Sequence, residues 1–159
     1  ILKENLPADD LRIADALLNL SSHQYTAKKY DAAEANLKTA LALWEAKEGR
    51  RCFGVSTCLN NLGRICEERG ETHQGVLYHQ EAVSIRKEIL GIHPETAFSL
   101  GNYGAALAGD AQWDKAAQTL EEALSCYDRL GLSDSPDAAT CRNNLSLCRN
   151  AAKQAAAQG

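Results

Sequence analysis

Hydrophobic and polar residues alternate with a helical period through residues 55–91. The apolar residues recur every three or four positions in two consecutive blocks, which is typical of amphipathic helices that bury one face. We therefore predict two helices that pack back to back as a hairpin. The apolar positions are Val55, Leu59, Leu62 and Cys66 in the first helix, and Val76, Leu77, Val83, Ile85, Ile89 and Leu90 in the second.

This hairpin pattern recurs along the chain at an interval of about 40 residues. A glycine closes each copy, and one asparagine stands at the same point of each first helix. Because a hairpin of this length cannot bury both apolar faces alone, the copies must stack into a one-dimensional array. The pattern predicts an all-α protein. The closing glycines are Gly49, Gly91 and Gly131, and the asparagines are Asn19, Asn61, Asn102 and Asn144.

The repeated unit resembles a tetratricopeptide repeat. The resemblance rests on LNNLG at residues 59–63 and EAVSI at 81–85, and the long period and HPETA at 93–97 are more particularly similar to kinesin light chain. It implies antiparallel helical hairpins stacked as a right-handed superhelix in a single domain over residues 1–159. The expected repeats are at about 11–49, 54–91 and 95–131, followed by a C-terminal capping helix at about 137–156.

The N-terminal part of the chain fits the same scheme. A first helix is predicted over about residues 9–27, and its partner helix ends by Glu48, where Gly49 supplies a left-handed cap. The chain has no methionine, even at position 1, and residues 1–7 resemble residues 89–94, so we expect a piece of a longer array. The apolar face of the first helix is formed by Leu11, Ala14, Leu17, Leu18 and Leu20.

Composition and charge argue against several classes of function. The formal net charge is −4 and the pI is about 5.6, which disfavours binding to nucleic acids or to anionic membranes. No apolar run approaches the roughly 18 residues that span a bilayer, and no signal peptide opens the sequence. We therefore expect a cytoplasmic protein with no nucleic-acid partner and no membrane partner.

The six cysteines form no CxxC pair and no compact Cys/His cluster. Cys58 and Cys141 occupy the same repeat position, and Cys66 fills an apolar position. We expect all six to be reduced, buried thiols that serve as small hydrophobic residues in a reducing compartment. They are Cys52, Cys58, Cys66, Cys126, Cys141 and Cys148.

One stripe of the first helices faces away from the buried residues. At 100° per residue, the apolar residues of the segment 55–66 lie within about 60° of Leu59, and the stripe lies on the opposite flank. First helices line the concave groove of tetratricopeptide arrays, so the resemblance implies that the stripe faces a ligand. Its members are Thr57, Asn61, Arg64 and Glu68, with equivalents Asp15, Asn19, Ser22 and Thr26, then Phe98, Asn102, Ala105 and Gly109, and finally Thr140 and Asn144.

The asparagine column is the sharpest candidate for a ligand site. An asparagine side chain carries both a donor and an acceptor, so it can pair with the N–H and C=O of an extended peptide whatever its sequence. In similar proteins this column contacts bound peptide. The alternative is that each asparagine pins helix packing by bonding a neighbouring backbone carbonyl, and both roles are compatible. The four residues are Asn19, Asn61, Asn102 and Asn144.

Three further stripe residues, Thr57, Arg64 and Phe98, are predicted to line the groove. Arg64 can grip a peptide carboxylate, although an exposed arginine beside two glutamates is more often a solvated ion pair. Phe98 adds a hydrophobic subsite, or it packs on Phe53 or Leu90. Chaperone-binding tetratricopeptide domains clamp a terminal carboxylate with several basic residues. This sequence lacks that set.

No constellation of residues indicates catalysis. Residues 104–109 have the glycine spacing of a phosphate loop, but Asp110 stands where lysine is needed and the stretch is helical. His73 and His79 lie on different helix faces, which favours surface histidines over a metal site. No serine or cysteine has the spacing of a nucleophile with a base and an acid. We predict a protein without enzymatic activity, cofactor or metal.

The leading hypothesis is therefore a protein-interaction module that binds a peptide or a partner segment in a concave groove. Two alternatives remain open. The array is a structural spacer or an oligomerisation module, or it is a regulatory part of a larger protein whose activity lies elsewhere. The sequence leaves the identity of the partner and the oligomeric state open.

Overall fold

The computed structural model describes residues 7–159, and within that range the chain forms seven helices and no strand. Consecutive helices pair as three hairpins, and the seventh helix packs on the last of them. The predicted all-α array of stacked hairpins is therefore confirmed. Residues 1–6, which carry the likeness to residues 89–94, lie outside the described range. The helices are α1 Leu11–Thr26, α2 Tyr30–Glu48, α3 Phe53–Glu68, α4 Thr72–Leu90, α5 Pro94–Gly109, α6 Trp113–Arg129 and α7 Pro136–Gln158.

Side-chain caps decide where the first and last helices begin. The carboxylate of Asp10 accepts a hydrogen bond from the backbone N–H of Arg12 at 2.8 Å, so α1 begins after Asp10, two residues later than the sequence pattern predicts. The Ser135 hydroxyl accepts from the N–H of Ala138 at 3.2 Å and caps α7 in the same way. These caps satisfy backbone donors that would otherwise lack a partner at the helix ends.

The turn inside each hairpin uses one residue in the left-handed backbone conformation. This residue is Lys28 in the first hairpin, Gly70 in the second and Ala111 in the third, with φ of 59°, 75° and 57°. Only glycine adopts this conformation without a steric penalty, and an L-residue with a side chain pays roughly 1–2 kcal/mol. The repeat therefore imposes the same turn on three different residues.

Columns of small residues bring the second helices close to their neighbours. Ala33 and Ala116 are fully buried and Gly75 is buried at the same repeat position. A Cβ added to Gly75 would stand 3.3 Å from the carbonyl oxygen of Gly63 on the first helix of its own hairpin. Seven residues further along each second helix comes a second column of small, fully buried residues. Its members are Ala40, Ala82 and Ala123.

Three apolar residues that the sequence pattern assigns to buried faces are exposed. They are Leu20, Leu77 and Ile89, with exposed fractions of 46%, 45% and 39%. The prediction for α4 was wrong because its buried stripe includes two polar residues, His79 and Arg86, so the stripe is rotated away from Leu77 and Ile89. The expectation that His79 is a surface histidine was wrong for the same reason.

The last helix presents a polar outer surface. At the repeat positions where α3 places Leu59, Gly63 and Cys66, the last helix carries residues that are polar and exposed. A polar outer surface is typical of the capping repeat of such an array. The composition of α7 therefore fits the capping role that the sequence predicts. These residues are Arg142, Ser146 and Arg149.

Candidate functional site

Residues of the first helices α1 and α3 line a pocket of about 150 Å³, which we call the first pocket. Leu37 and Ile65 supply its apolar lining. Stripe residues of two successive hairpins meet here, as the repeat pattern predicts. The polar lining residues are Ser21, Ser22, Tyr25, Thr26, Asn61 and Arg64.

A second pocket, of about 80 Å³, lies between α5 and α7. It brings together the stripe residues of the third hairpin and of the last helix, including Phe98 at its edge with an exposed fraction of 41%. We call the surface that carries both pockets, along α1, α3, α5 and α7, the groove. The lining residues of the second pocket are Phe98, Gly101, Asn102, Ala105, Tyr127, Asp137, Thr140, Cys141 and Asn144.

An adjacent third pocket of about 560 Å³ shares Ala105 and Asn144 with the second. It is largely apolar, since Trp113 and the exposed Leu147 contribute to its lining. Sequence reasoning missed Leu147 because the stripe was not extended to the end of the last helix. Aligned on the asparagine column, Leu147 occupies the position of Arg64.

Arg64 is held by an aromatic ring. Its guanidinium lies 4.4 Å from the centre of the Tyr25 ring, and the Tyr25 hydroxyl donates to Glu68 at 3.0 Å. The Tyr30 hydroxyl donates to the other carboxylate oxygen of Glu68 at 3.2 Å. Within residues 7–159, Arg64 itself forms no ion pair with a carboxylate, so its N–H donors remain available.

The four column asparagines are not used as packing residues. Within the described range none of their side-chain amides forms a hydrogen bond, so the predicted alternative of a bond to a neighbouring carbonyl is not observed. The Nδ2 atom of Asn102 is buried and has no acceptor among those residues. Leaving a buried donor unpaired costs about 1–3 kcal/mol. Asn19 is exposed and lines neither of the two pockets.

The neighbouring residue Asn60 performs the packing role instead. It is buried, its Nδ2 donates to the Ser99 hydroxyl at 2.8 Å, and its Oδ1 lies 3.1 Å from Nδ1 of the buried His79. The His79 ring lies so close to Gly63 that a Cβ there would stand 2.5 Å from it. This set of contacts joins α3, α4 and α5 beneath the groove.

Arg86 extends the same polar network. Its exposed fraction is only 3%, and its guanidinium donates to the hydroxyls of Ser56, Thr57 and Ser99 at 2.8–3.2 Å. Its Nη1 also lies 3.0 Å from the carboxylate of Glu95. Burial lowers the pKa of Arg86, and the nearby Glu95 carboxylate opposes that shift. The array therefore holds a charged group in its interior.

Thr57, one of the predicted groove residues, belongs to this network. Its hydroxyl donates to the backbone carbonyl of Phe53 at 3.1 Å and receives a hydrogen bond from Arg86 at 3.2 Å. Sequence reasoning missed the network because it treated polar residues on a helix as exposed. The signal was present, since His79 and Arg86 are seven residues apart and therefore share one helix face.

The cysteines lie among the buried residues of the array. All six cysteines lie in the described range, and they are buried and unpaired. Burial raises the pKa of Cys58 to about 12 and that of Cys66 to about 11, so these two thiols stay protonated at neutral pH. His73 is exposed on α4, 3.6 Å from the carboxylate of Asp110.

Comparison with known proteins agrees with the fold. Residues 12–88 match the family model described as tetratricopeptide repeat. A structure from Podosopora anserina, described as a kinesin light chain with nearly identical TPR-like repeats, is 16% identical with a TM-score of 0.79, over 96% of this chain and 72% of that chain. A single-substitution variant of that protein has the same identity and coverage with a TM-score of 0.80.

A structure of BtubC (BKLC) from P. vanneervenii is 19% identical, with a TM-score of 0.73 over 98% of this chain and 69% of that chain. No curated protein matches the chain significantly. The family model and these structures agree with the resemblance to tetratricopeptide repeats of the kinesin light chain type, and the structures show the same fold. Such folds are in general protein-interaction modules and are typically non-enzymatic. Among residues 7–159, none of the helices combines the length and the apolar character needed to cross a membrane.

Proposed function

We propose that this array of tetratricopeptide repeats binds an extended segment of a partner protein along its groove, with the column asparagines pairing to the backbone of that segment. Asn61 lies in the first pocket, and Asn102 and Asn144 lie in the second. Asn19 would extend the asparagine column onto α1. Because a carboxamide both donates and accepts, successive asparagines can follow successive peptide units of a bound chain.

The observation that carries this proposal is the buried, unpaired Nδ2 of Asn102. A buried donor without an acceptor destabilises the free protein, and a rotation of the Asn102 side chain into the second pocket would let a peptide carbonyl remove that cost. Phe98 and Thr140 line the same pocket, so a neighbouring side chain of the ligand would find an apolar ring and a hydroxyl there. In the first pocket, the Arg64 guanidinium would contact a side chain of the ligand.

The cysteines support a reducing compartment as the place of action. Their thiols are buried without disulfides, and such thiols persist where glutathione and thioredoxin keep cysteine reduced. We therefore place the proposed binding in the cytoplasm. Detection of the protein in a secreted or periplasmic fraction would contradict this location.

The groove assignment predicts a loss of binding when two column asparagines are removed. The probe is a displayed library of random 15-residue peptides, selected on the unchanged chain. Asn61→Ala combined with Asn102→Ala should weaken binding of the selected peptides by about tenfold, since each lost hydrogen-bonding carboxamide is worth about 0.5–1.5 kcal/mol. Isothermal titration gives the affinities, and circular dichroism should show unchanged helicity.

Asn143→Ala is the matched control. It removes an exposed carboxamide from the residue next to Asn144, about 100° around α7 and outside both pockets. Its affinity should equal that of the unchanged chain. Unaltered binding in the double variant, or an equal loss in the control, would contradict the proposal.

A further inference from the structure

We infer that the groove selects a segment of mixed charge, with an acidic side chain in the first pocket and a basic side chain in the second. This inference rests on the proposed function, because it names the chemistry of the segment that the groove would hold. Two charges carry it. Among the described residues, Arg64 is the only charged residue that lines the first pocket, and Asp137 is the only one that lines the second.

The first pocket is built to receive a carboxylate. The Arg64 guanidinium lies 4.4 Å from the centre of the Tyr25 ring. A guanidinium stacked in this way can offer two parallel hydrogen bonds to a carboxylate. The Asn61 carboxamide lines the same pocket and offers another donor. The nearby carboxylate of Glu68 already accepts hydrogen bonds from the Tyr25 and Tyr30 hydroxyls. An acidic side chain of the ligand therefore finds an unpaired cation here.

The second pocket has the opposite character. Within residues 7–159 Asp137 forms no ion pair. Burial raises the pKa of Tyr127, which lines the same pocket, and the negative charge of Asp137 is the next largest cause of that shift. The Asn144 carboxamide supplies a neutral acceptor, and the Phe98 ring offers a face for a cation. A lysine or arginine side chain of the ligand would therefore be stabilised by a carboxylate, an amide oxygen and an aromatic ring.

Besides Arg64 and Glu68, one more charge lies on the stripe and does not cancel this arrangement. Asp15 precedes Ser22 by seven residues on α1, which places it about 10 Å from the first pocket along the helix. At physiological salt, interactions between exposed charges at that distance are largely screened. The two pockets therefore present opposite charges to a ligand.

The separation of the two charges gives the spacing in the ligand. Along the helix direction, Arg64 lies three residues after the asparagine column and Asp137 lies seven residues before it, so the two charged residues are roughly 15 Å apart. Across the helices they are separated by two helix spacings, each of about 8–10 Å. The diagonal is roughly 20–25 Å, which an extended peptide covers in about six to eight residues. The expected segment carries one acidic and one basic residue at that separation.

Charge reversal tests the inference. Random 15-residue displayed peptides are selected in parallel on the unchanged chain, on Arg64→Glu and on Asp137→Lys. Sequences from the unchanged chain should pair an acidic with a basic residue six to eight positions apart. Arg64→Glu should lose the acidic preference alone, and Asp137→Lys the basic preference alone. Each reversal should weaken the original peptides by about five- to tenfold, with a smaller difference at high salt.

Controls separate this inference from the proposed function. Lys29→Glu and Glu48→Lys reverse exposed charges that line neither pocket and should leave the selected sequences unchanged. Asp137→Asn keeps the shape of the side chain and should also lose the basic preference, which covers a folding defect in Asp137→Lys. If the enriched peptides lack the charge pair and still bind the Asn61 and Asn102 double variant more weakly, the inference is overturned and the proposed function stands. A library that yields no enriched peptide overturns both proposals.

Discussion

At the scale of single residues, the buried guanidinium of Arg86 costs free energy, because its charge is removed from water. An unpaired charge would not persist in a helical core, and Arg86 is retained because hydroxyls from α3 and α5 and the carboxylate of Glu95 surround it. The network also fixes Thr57 and Ser99, which lie on the helices that carry the groove. Arg86 therefore sets how the second and third hairpins meet.

Replacing this arginine should reveal the cost of an incomplete network. Arg86→Ala should lower the free energy of unfolding by about 2–4 kcal/mol, because it leaves a cavity and removes the donors of the Ser56 and Ser99 hydroxyls. Arg86→Met fills the volume with an apolar chain and should cost less. Urea unfolding followed by circular dichroism gives both values. A loss that is equal in the two variants would show that filling the cavity contributes little.

At the scale of the elements, each hairpin depends on a turn whose geometry suits glycine. The second hairpin has Gly70 at the left-handed position, whereas the first and third have Lys28 and Ala111. The helices on both sides of the turn are fixed by packing, so the strained residue cannot relax. The helix pairing, which buries far more apolar area than a turn contains, outweighs the local cost.

Relieving that strain should stabilise the third hairpin. Ala111→Gly should raise the free energy of unfolding by about 0.5–1 kcal/mol, because the gain at positive φ exceeds the extra entropy that glycine loses on folding. The same change at Ala35, an exposed position inside α2, should instead lower it by about 1 kcal/mol. Chemical denaturation of both variants measures the two effects. Destabilisation by Ala111→Gly would argue against strain at the turn.

At the scale of the whole molecule, burial is uneven along the array. Helix α1 buries only Ala14 and Ser21, whereas ten residues of α3 are buried. Each hairpin contacts only its neighbours, so the stability of a repeat follows from the interfaces that it forms. The polar network at Arg86 joins the second and third hairpins, and the structure describes no equivalent buried arginine between the first and second, within residues 7–159.

The first hairpin should therefore open most easily. Native-state hydrogen exchange measured by mass spectrometry should show faster exchange for the amides of α1 than for those of α3 and α5, because local opening of α1 exposes less buried surface. Weak denaturant should widen the difference before global unfolding. Equal protection of α1 and α3 would indicate that the array unfolds as a single unit.

Much of the fold was accessible from the sequence because its determinants repeat. The spacing of Gly49, Gly91 and Gly131 gave the hairpins, and the column that includes Asn61 and Asn102 gave the register between first helices. Predictions at single positions were less reliable. Leu77 was expected inside and His79 outside, and both expectations were wrong, since hydrophobicity alone does not identify a face on which polar residues find partners.

The candidate site shows the same division between what repeats and what does not. The stripe predicts that Asn61 and Arg64 share a helix face, and the repeat predicts that Asn102 stands at the equivalent position of the next first helix. Asp137 and Tyr25 were not identified as site residues, because their contribution depends on which neighbouring helix they face. Their role follows from packing between hairpins, which a helical period does not encode.

The sequence by itself determined that this chain is a stack of helical hairpins and which face of each first helix carries the asparagine column. Those properties follow from the local periodicity of apolar and polar residues, which recurs in every copy of the repeat. Only the tertiary structure decided which polar residues are buried, that the amide of Asn102 lacks an acceptor among the described residues, and that Arg64 and Asp137 line separate pockets. These properties depend on contacts between residues about 20 to 40 positions apart, and the partner of a buried polar group is fixed only when the helices have packed.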